Sequence, residues 1–207
     1  MDITYLGAGS VKISGKNLNV VCDPFSVDSG LGKFTSKADV VVLTGPAEAV
    51  PGEALLVDRP GEYEVKGATI TGVPARLHID EDGHRGTVYS ILVDGVNVVV
   101  TGNIDGKLDE NQVENLGQVD VLVVPVGGHG LTLDAEGASA VVTQLEPGYV
   151  IPIHYDDGAT NYAMPQDTVE KFLKEMGSNP EPENRLRINQ KEAPAETQVV
   201  LLTRAGA

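Results

Sequence analysis

The stretch Val119–Tyr155 constrains this chain more than any other. It opens on VDVLVVPVGG, a run of branched aliphatic residues without the polar alternation of a strand that faces water. Such a run reads as a strand buried on both faces, as in parallel sheets covered on both sides. The turn Gly127-Gly128-His129-Gly130 follows, and Thr132 or Asp134 is placed to cap a helix. Ala138, Val141, Val142 and Leu145 then recur at helical spacing, Pro147-Gly148 stops the helix, and Tyr149–Ile153 forms a second buried strand ending at His154. Strand, helix and strand in this order make a right-handed parallel crossover. Sheets of this kind gather ligands outside the carboxyl ends of their strands, where His129 and His154 both fall.

The rest of the chain prepares a partner for that unit. Met1–Leu6, Val11–Ser14 and Leu18–Cys22 read as short strands joined by polar turns, an antiparallel meander. Ala38–Leu43 (ADVVVL) is another doubly buried strand, and the prolines and glycines of Thr44–Gly52 argue against a long helix after it. Ala54–Val57 is a short strand. Tyr63–Val65 and Ala68–Val73 form a hairpin about Lys66-Gly67, and Thr87–Val93 and Val96–Thr101 form another about Asp94-Gly95. Asp109 caps a helix that stops at Gly117. Met164-Pro165 is read as the start of a helix carrying Val169, Phe172, Leu173 and Met176, ended by Gly177. Residues 178–196 are polar and proline-rich, and Gln198–Thr203 is a last strand. Meander then crossover occurs in both halves, which predicts two facing sheets with helices outside, in one domain over residues 1–207.

Composition narrows the function classes. With 207 residues the chain can bury roughly 70% of its unfolded surface. Trp is absent and aromatics make up 4%, so the core must be aliphatic. No apolar run approaches the ~20 residues of a membrane span, and the N-terminus lacks a basic-then-apolar signal segment. The single Cys22 excludes an internal disulfide and suits a reducing, cytoplasmic setting. A net charge of −15 spread along the chain argues against nucleic acid, whose phosphates it would repel, and favours solubility.

Asp23-Pro24-Phe25, Pro60-Gly61-Glu62-Tyr63-Glu64-Val65, Val119–Gly128 and Pro152-Ile153-His154-Tyr155 together resemble the metallo-β-lactamase superfamily. The nearest resemblance is to a short bacterial branch similar to ascorbate-phosphate lactonase-like hydrolases. The resemblance implies an α/β fold, a four-layer αββα sandwich, with one or two metal ions, commonly zinc or manganese, activating water for hydrolysis. It also implies that a metal motif, H-x-H-x-D-H, follows the strand at Ala38–Leu43. In this chain those ligand positions fall on Gly45, Ala47, Ala49 and Val50, and the bridging aspartate on Asn103. The residual ligand candidates are His78, Asn103, His129 and His154, with Asp105 near Asn103. Asp23 supports the site in the resemblance rather than chelating.

Each candidate also has a plain structural reading. His154 can be a hydrogen-bonded histidine at a strand end, His129 an exposed loop residue, and His78 part of a solvated loop that includes His84. Gly127-Gly128 can cradle a phosphate, but no lysine stands at a fixed spacing to support it. Ser10 has no evident base, Cys22 reads as buried filler, and Glu62 and Glu64 as a solvent face. The leading expectation is a degenerate, non-catalytic member, with no cofactor, that binds a small molecule or protein partner through the former cleft, with homo-oligomer assembly open. The rival is a metal-dependent hydrolase with a reduced single-metal site holding one weakly bound Zn or Mn at His78, His129 and His154.

Overall fold

The computed structural model describes residues 1–46, 54–80, 85–189 and 194–205. The chain begins with an antiparallel meander of β1 (Asp2–Gly7), β2 (Ser10–Ser14) and β3 (Asn19–Cys22). A long connection holding a single 3-10 turn, Val27–Ser29, leads to β4 (Val40–Val42), which lies parallel to β3, and β5 (Leu55–Val57) lies parallel to β4. β1 buries Ile3 and Tyr5 between half-exposed neighbours, the period-two pattern of a strand with one wet face. All three valines of β4 are fully buried, as its unbroken aliphatic run predicts.

The second sheet starts with three antiparallel pairings among β6 (Gly61–Val65), β7 (Ala68–Ala75), β8 (Gly86–Val93) and β9 (Val96–Val100). It then turns parallel. β9 leads through α1 (Glu110–Leu116) to β10 (Val121–Pro125), and β10 through α2 (Ala135–Leu145) to β11 (Tyr149–Ile153). Asp109 and Gln112 form a reciprocal capping box on α1, and Asp134, not Thr132, caps α2 by accepting from the Gly137 N–H at 2.8 Å. α2 buries Ala138, Val141, Val142 and Leu145, the stripe read from the sequence. α3 (Val169–Glu175) packs on α2 and buries Val169, Phe172 and Leu173. The chain closes with β12 (Leu186–Arg187), beside β1 in the first sheet, and β13 (Gln198–Val199), beside β11 in the second. The two sheets therefore run β12-β1-β2-β3-β4-β5 and β13-β11-β10-β9-β8-β7-β6. This is the αββα sandwich expected, each sheet passing from meander to parallel crossover. Among the described residues no helix is long and apolar enough to cross a membrane.

Two local expectations need correction. α3 begins at Val169, not at Met164-Pro165, because the intervening residues are held elsewhere. The Asp167 N–H donates to Gly127 O at 2.7 Å, and the Gln166 side chain is bound to His154. The polar tract after residue 177 contains β12, with Leu186 buried opposite Ile3 and Arg187 opposite Asp2. Arg185 and Arg187 each reach an Asp2 carboxylate oxygen at 3.2 Å.

Candidate functional site

Where the carboxyl ends of β3, β4, β9 and β11 meet, the fold leaves a cleft of about 430 Å³. Asp23 follows β3, Thr44 and Gly45 follow β4, Gly102 and Asn103 follow β9, and His154 follows β11, so these polar lining groups sit at strand ends, while Ser26 and Asp28 line it from the 3-10 turn. The β1–β2 turn adds Ala8 and Gly9, while Phe25, Leu77, Ile79 and Leu131 supply apolar wall.

Asp23 ties two of these strand ends together. Its backbone takes the left-handed conformation, φ 45°, and its N–H donates to Val42 O at 2.9 Å. One carboxylate oxygen accepts from the Thr44 N–H and the other from the Thr44 hydroxyl, both at 2.8 Å. Burial raises the Asp23 carboxyl from its usual range to about 6, against the downward pull of the two Thr44 donors. Gly102 makes that arrangement possible, since a Cβ there would lie 2.1 Å from Thr44 Oγ1.

His154 is the most constrained polar side chain of the cleft. Its backbone is also left-handed, φ 52°, fixed by an N–H donated to Ala8 O at 2.9 Å. Its ring packs on Tyr162 with centroids 4.7 Å apart. Nδ1 lies 3.2 Å from Gln166 Oε1. The carboxamide NH2 of Gln166 donates to Met164 O at 3.2 Å and Pro165 O at 2.8 Å, which leaves Oε1 as an acceptor. The proton of the neutral imidazole therefore sits on Nδ1, and Nε2 carries a free lone pair. Burial lowers the His154 pKa, more than Gln166 raises it, so the ring is neutral at pH 7. Gly127 leaves the space for this pairing: a Cβ there would lie 2.3 Å from Gln166 Oε1. The sequence did not reveal Gln166 as the partner of His154, because a lone glutamine in a loop carries no pattern.

The other sequence candidates take different places. Asn103 lines the cleft and accepts the His78 N–H on its backbone oxygen at 3.1 Å. The His78 ring lies with Nδ1 3.5 Å from an Asp105 oxygen, and its buried Nε2 finds no hydrogen-bond partner among the described residues. Asp105 itself pairs with Arg76 at 3.2 Å. His129 is half exposed and pairs through Nε2 with Asp167 at 3.0 Å, apart from the cleft lining. The Gly127-Gly128 turn is closed on itself, with the Gly128 N–H donating to Thr132 Oγ1 at 2.8 Å and Leu133 O at 3.0 Å, so no phosphate cradle is presented there. Gly45 lines the cleft, whereas Ala47, Ala49, Val50 and His84 lie outside the described residues. Ser10 is buried and donates to Cys22 O at 3.0 Å, Cys22 is buried with its thiol pKa pushed up by desolvation, and Glu62 and Glu64 are exposed on β6.

The donor chemistry decides how much metal these residues fit. Among the described residues no three His, Cys, Asp or Glu side chains form a group that could hold an ion, so His78, His129 and His154 do not converge as the reduced-site expectation required. His154 fits an ion: it is neutral, its tautomer is set by a second residue, and its Nε2 has no hydrogen-bond partner among the described residues, the state in which imidazole ligates. Asn103 adds a neutral oxygen donor to the same cleft.

The family model described as Beta-lactamase superfamily domain matches residues 2–154. A protein from Thermotoga maritima, described as a Zn-dependent hydrolase of the metallo-β-lactamase superfamily, is 31% identical, with a TM-score of 0.78 over 98% of each chain. A metal-dependent hydrolase of Natranaerobius thermophilus is 25% identical over 85% of this chain and 91% of its own length. One of Thermococcus onnurineus is 32% identical over 63% of this chain, and the chain spans 58% of that relative's length. These names overturn the non-catalytic expectation, and the degenerate-site reading has no support from them: the relatives are metal-dependent hydrolases, which favours an enzyme with a metal cofactor. That expectation rested on the residues at Gly45, Ala47, Ala49, Val50 and Asn103, of which Ala47, Ala49 and Val50 lie outside the described residues. With a family model covering residues 2–154 and a near full-length structural match, the chain belongs to the metallo-β-lactamase superfamily.

Proposed function

We propose that the protein is a metal-dependent hydrolase of small molecules that works with a single, reduced metal site in the cleft at the strand ends. The observation that carries this reading is the state of His154: a neutral imidazole, proton fixed on Nδ1 by Gln166, lone pair free on Nε2. His154 would hold the ion, with the Asn103 carboxamide as an oxygen donor and water in the remaining positions. A bound zinc or manganese supplies a water of lowered pKa and a Lewis acid for the scissile carbonyl. The chain's own part is positional and protonic. Gln166 holds the ring orientation, and Asp23, with a carboxyl pKa of about 6, can take up or release a proton near neutral pH. The cleft volume of about 430 Å³ lies within the small-molecule range. The single buried Cys22 supports a reducing, cytoplasmic setting.

Tag-free protein dialysed against zinc or manganese, then analysed for bound metal and assayed on a panel of esters, lactones and phosphodiesters, tests the reading. The expected result is one ion per chain and turnover that disappears in His154→Ala. Absence of both metal and turnover in the wild type would overturn it.

A further inference from the structure

The Asp23–Thr44 pair joins a buried carboxyl to a hydroxyl on the cleft lining. Oδ1 of Asp23 meets the Thr44 N–H at 2.8 Å, a group that can only donate. Oδ2 meets the Thr44 hydroxyl at 2.8 Å, a group that can donate or accept. As a carboxylate, Asp23 accepts on both oxygens, the hydroxyl hydrogen points at Oδ2, and the lone pairs of Thr44 Oγ1 are left over. As a carboxylic acid, Asp23 has a hydrogen to place, and of its two Thr44 contacts only Oγ1 can accept it. The hydroxyl hydrogen must then turn off this axis, and among the described residues it has no second partner. The rest of Thr44 is held in place. Its carbonyl accepts from the Thr87 N–H at 2.8 Å, and Gly102 lies so close that a Cβ there would be 2.1 Å from Oγ1.

The exchange falls near neutrality, because burial raises the Asp23 carboxyl to about 6. The titratable groups facing Asp23 from its neighbours do not change charge there: the Cys22 thiol on β3 and the Tyr89 phenol on β8 are both pushed up. Elsewhere on the lining, Asp28 is exposed on the 3-10 turn and His154 titrates below its usual range. An ion in the cleft would favour the carboxylate, so the exchange belongs to the metal-free protein.

We infer that Thr44 is a ligand-contact residue whose hydrogen-bonding sense is set by Asp23: an acceptor toward the cleft when Asp23 is ionised, a donor when it is protonated. Neutral molecules that present an N–H or O–H are favoured in the first state, and those that present a carbonyl oxygen in the second. The inference needs no bound metal and stands apart from the hydrolase reading.

Indole and 1-indanone make a matched pair of neutral bicyclic probes, the first offering an N–H donor and the second a carbonyl acceptor. Each is titrated into full-length, EDTA-dialysed ¹⁵N-labelled protein, following the Thr44 and Gly45 amides. Measurements at about pH 7.5 and about pH 5 bracket the Asp23 midpoint of about 6. On acidification, 1-indanone should gain on indole by about fivefold, the effect of one neutral hydrogen bond. Asp23→Asn, whose NH2 can donate to the Thr44 hydroxyl as the protonated carboxyl does, should hold the acid ratio at both pH values. Thr44→Val should abolish the change, and Thr44→Ser should keep it. His154 is intact in all three variants, so a change of the same size in Asp23→Asn or Thr44→Val would assign the effect to the imidazole and overturn the inference. An unchanged ratio in the wild type, or binding of neither probe, would also overturn it.

Discussion

β10 and β11 lie side by side in parallel register, Pro125 opposite Ile153, yet the histidine that follows each is used in opposite ways. His154 comes directly off β11, is half-buried at the cleft, and meets the neutral carboxamide of Gln166. His129 sits three residues beyond β10's last neighbour Val126, is half exposed, and meets the carboxylate of Asp167, which Lys171 also contacts at 2.5 Å. A neutral acceptor in a desolvated setting keeps an imidazole neutral with its proton on the nitrogen that faces that acceptor. Neighbouring strand ends thus yield one histidine paired with a carboxamide inside the cleft and one paired with a carboxylate outside it. The partner side chain makes the difference.

The largest effect that could break this contrast is on catalysis. His154→Ala is expected to reduce metal-dependent turnover more than about 100-fold, since it removes the imidazole proposed to hold the ion. His129→Ala, outside the cleft, should stay within about threefold of wild type. Steady-state kinetics with metal analysis on both variants checks this, and equal losses would erase the distinction between the two histidines.

A smaller effect tests the partner rather than the ligand. Gln166→Leu removes the Nδ1–H acceptor and should weaken metal affinity about 10- to 100-fold. Gln166→Glu, which still offers an acceptor, should recover most of it. Long-range ¹H–¹⁵N spectra of the metal-free protein read the tautomer directly. Wild type should show the proton on Nδ1, and Gln166→Leu a mixture. A wild-type ring protonated on Nε2 would contradict the assignment.

The same logic extends to the buried carboxylate at the other side of the cleft. The folded-state pKa of Asp23 is raised from 3.8 to about 6, so its protonated form is favoured by folding. Its contribution to stability is full below about pH 4 and is lost as pH rises through about 6. Asp23→Asn can keep both Thr44 contacts, its oxygen accepting from the Thr44 N–H and its NH2 donating to the hydroxyl. It should stabilise the protein by about 1–2 kcal/mol at pH 7, short of the ~3 kcal/mol implied for a wholly dry group, and leave stability near pH 4 unchanged. Urea unfolding at the two pH values measures it.

How much of this was legible depended on whether a residue's role is local. The valines of β4, β10 and β11 announce doubly buried strands, and Asp109 and Asp134 cap helices within three residues of themselves. His154 and Asn103 were legible because strand ends in this architecture face ligands. Gln166 was not, since its role comes from contact with a residue twelve positions earlier. The start of α3 was misplaced for the same reason: Pro165 suits a first helical position, but Gln166 and Asp167 are held by β11 and the Gly127 turn. β12 is two residues in a polar tract, and nothing but Asp2 and Ile3 across the chain makes it a strand. The non-catalytic expectation counted ligand side chains at the motif positions and at Asn103, and the relatives named as hydrolases stand against it.

The smallest expected effect concerns the ion-pair side of the comparison. Asp167 accepts from Lys171 and His129, and these contacts hold its carboxyl below the usual aspartate range, Lys171 contributing most. A depressed folded-state pKa gives stability that is present above the unfolded value of 3.8 and lost as pH falls through the folded one. Asp167→Asn should therefore lower Tm at pH 7 and have no effect at a pH well below 3. The drop at pH 7 should be small, about 1–2 °C, because exposed ion pairs are screened and contribute little. The backbone bond from Asp167 N–H to Gly127 O is independent of the side chain and should keep the turn in place. Added salt at pH 7 should shrink the wild-type advantage further. Thermal melts of both proteins across pH and ionic strength provide the measurement. A Tm loss of many degrees at pH 7 that persists in high salt would mean that the His129 turn is held by more than a surface ion pair, and the contrast with the half-buried His154 would narrow.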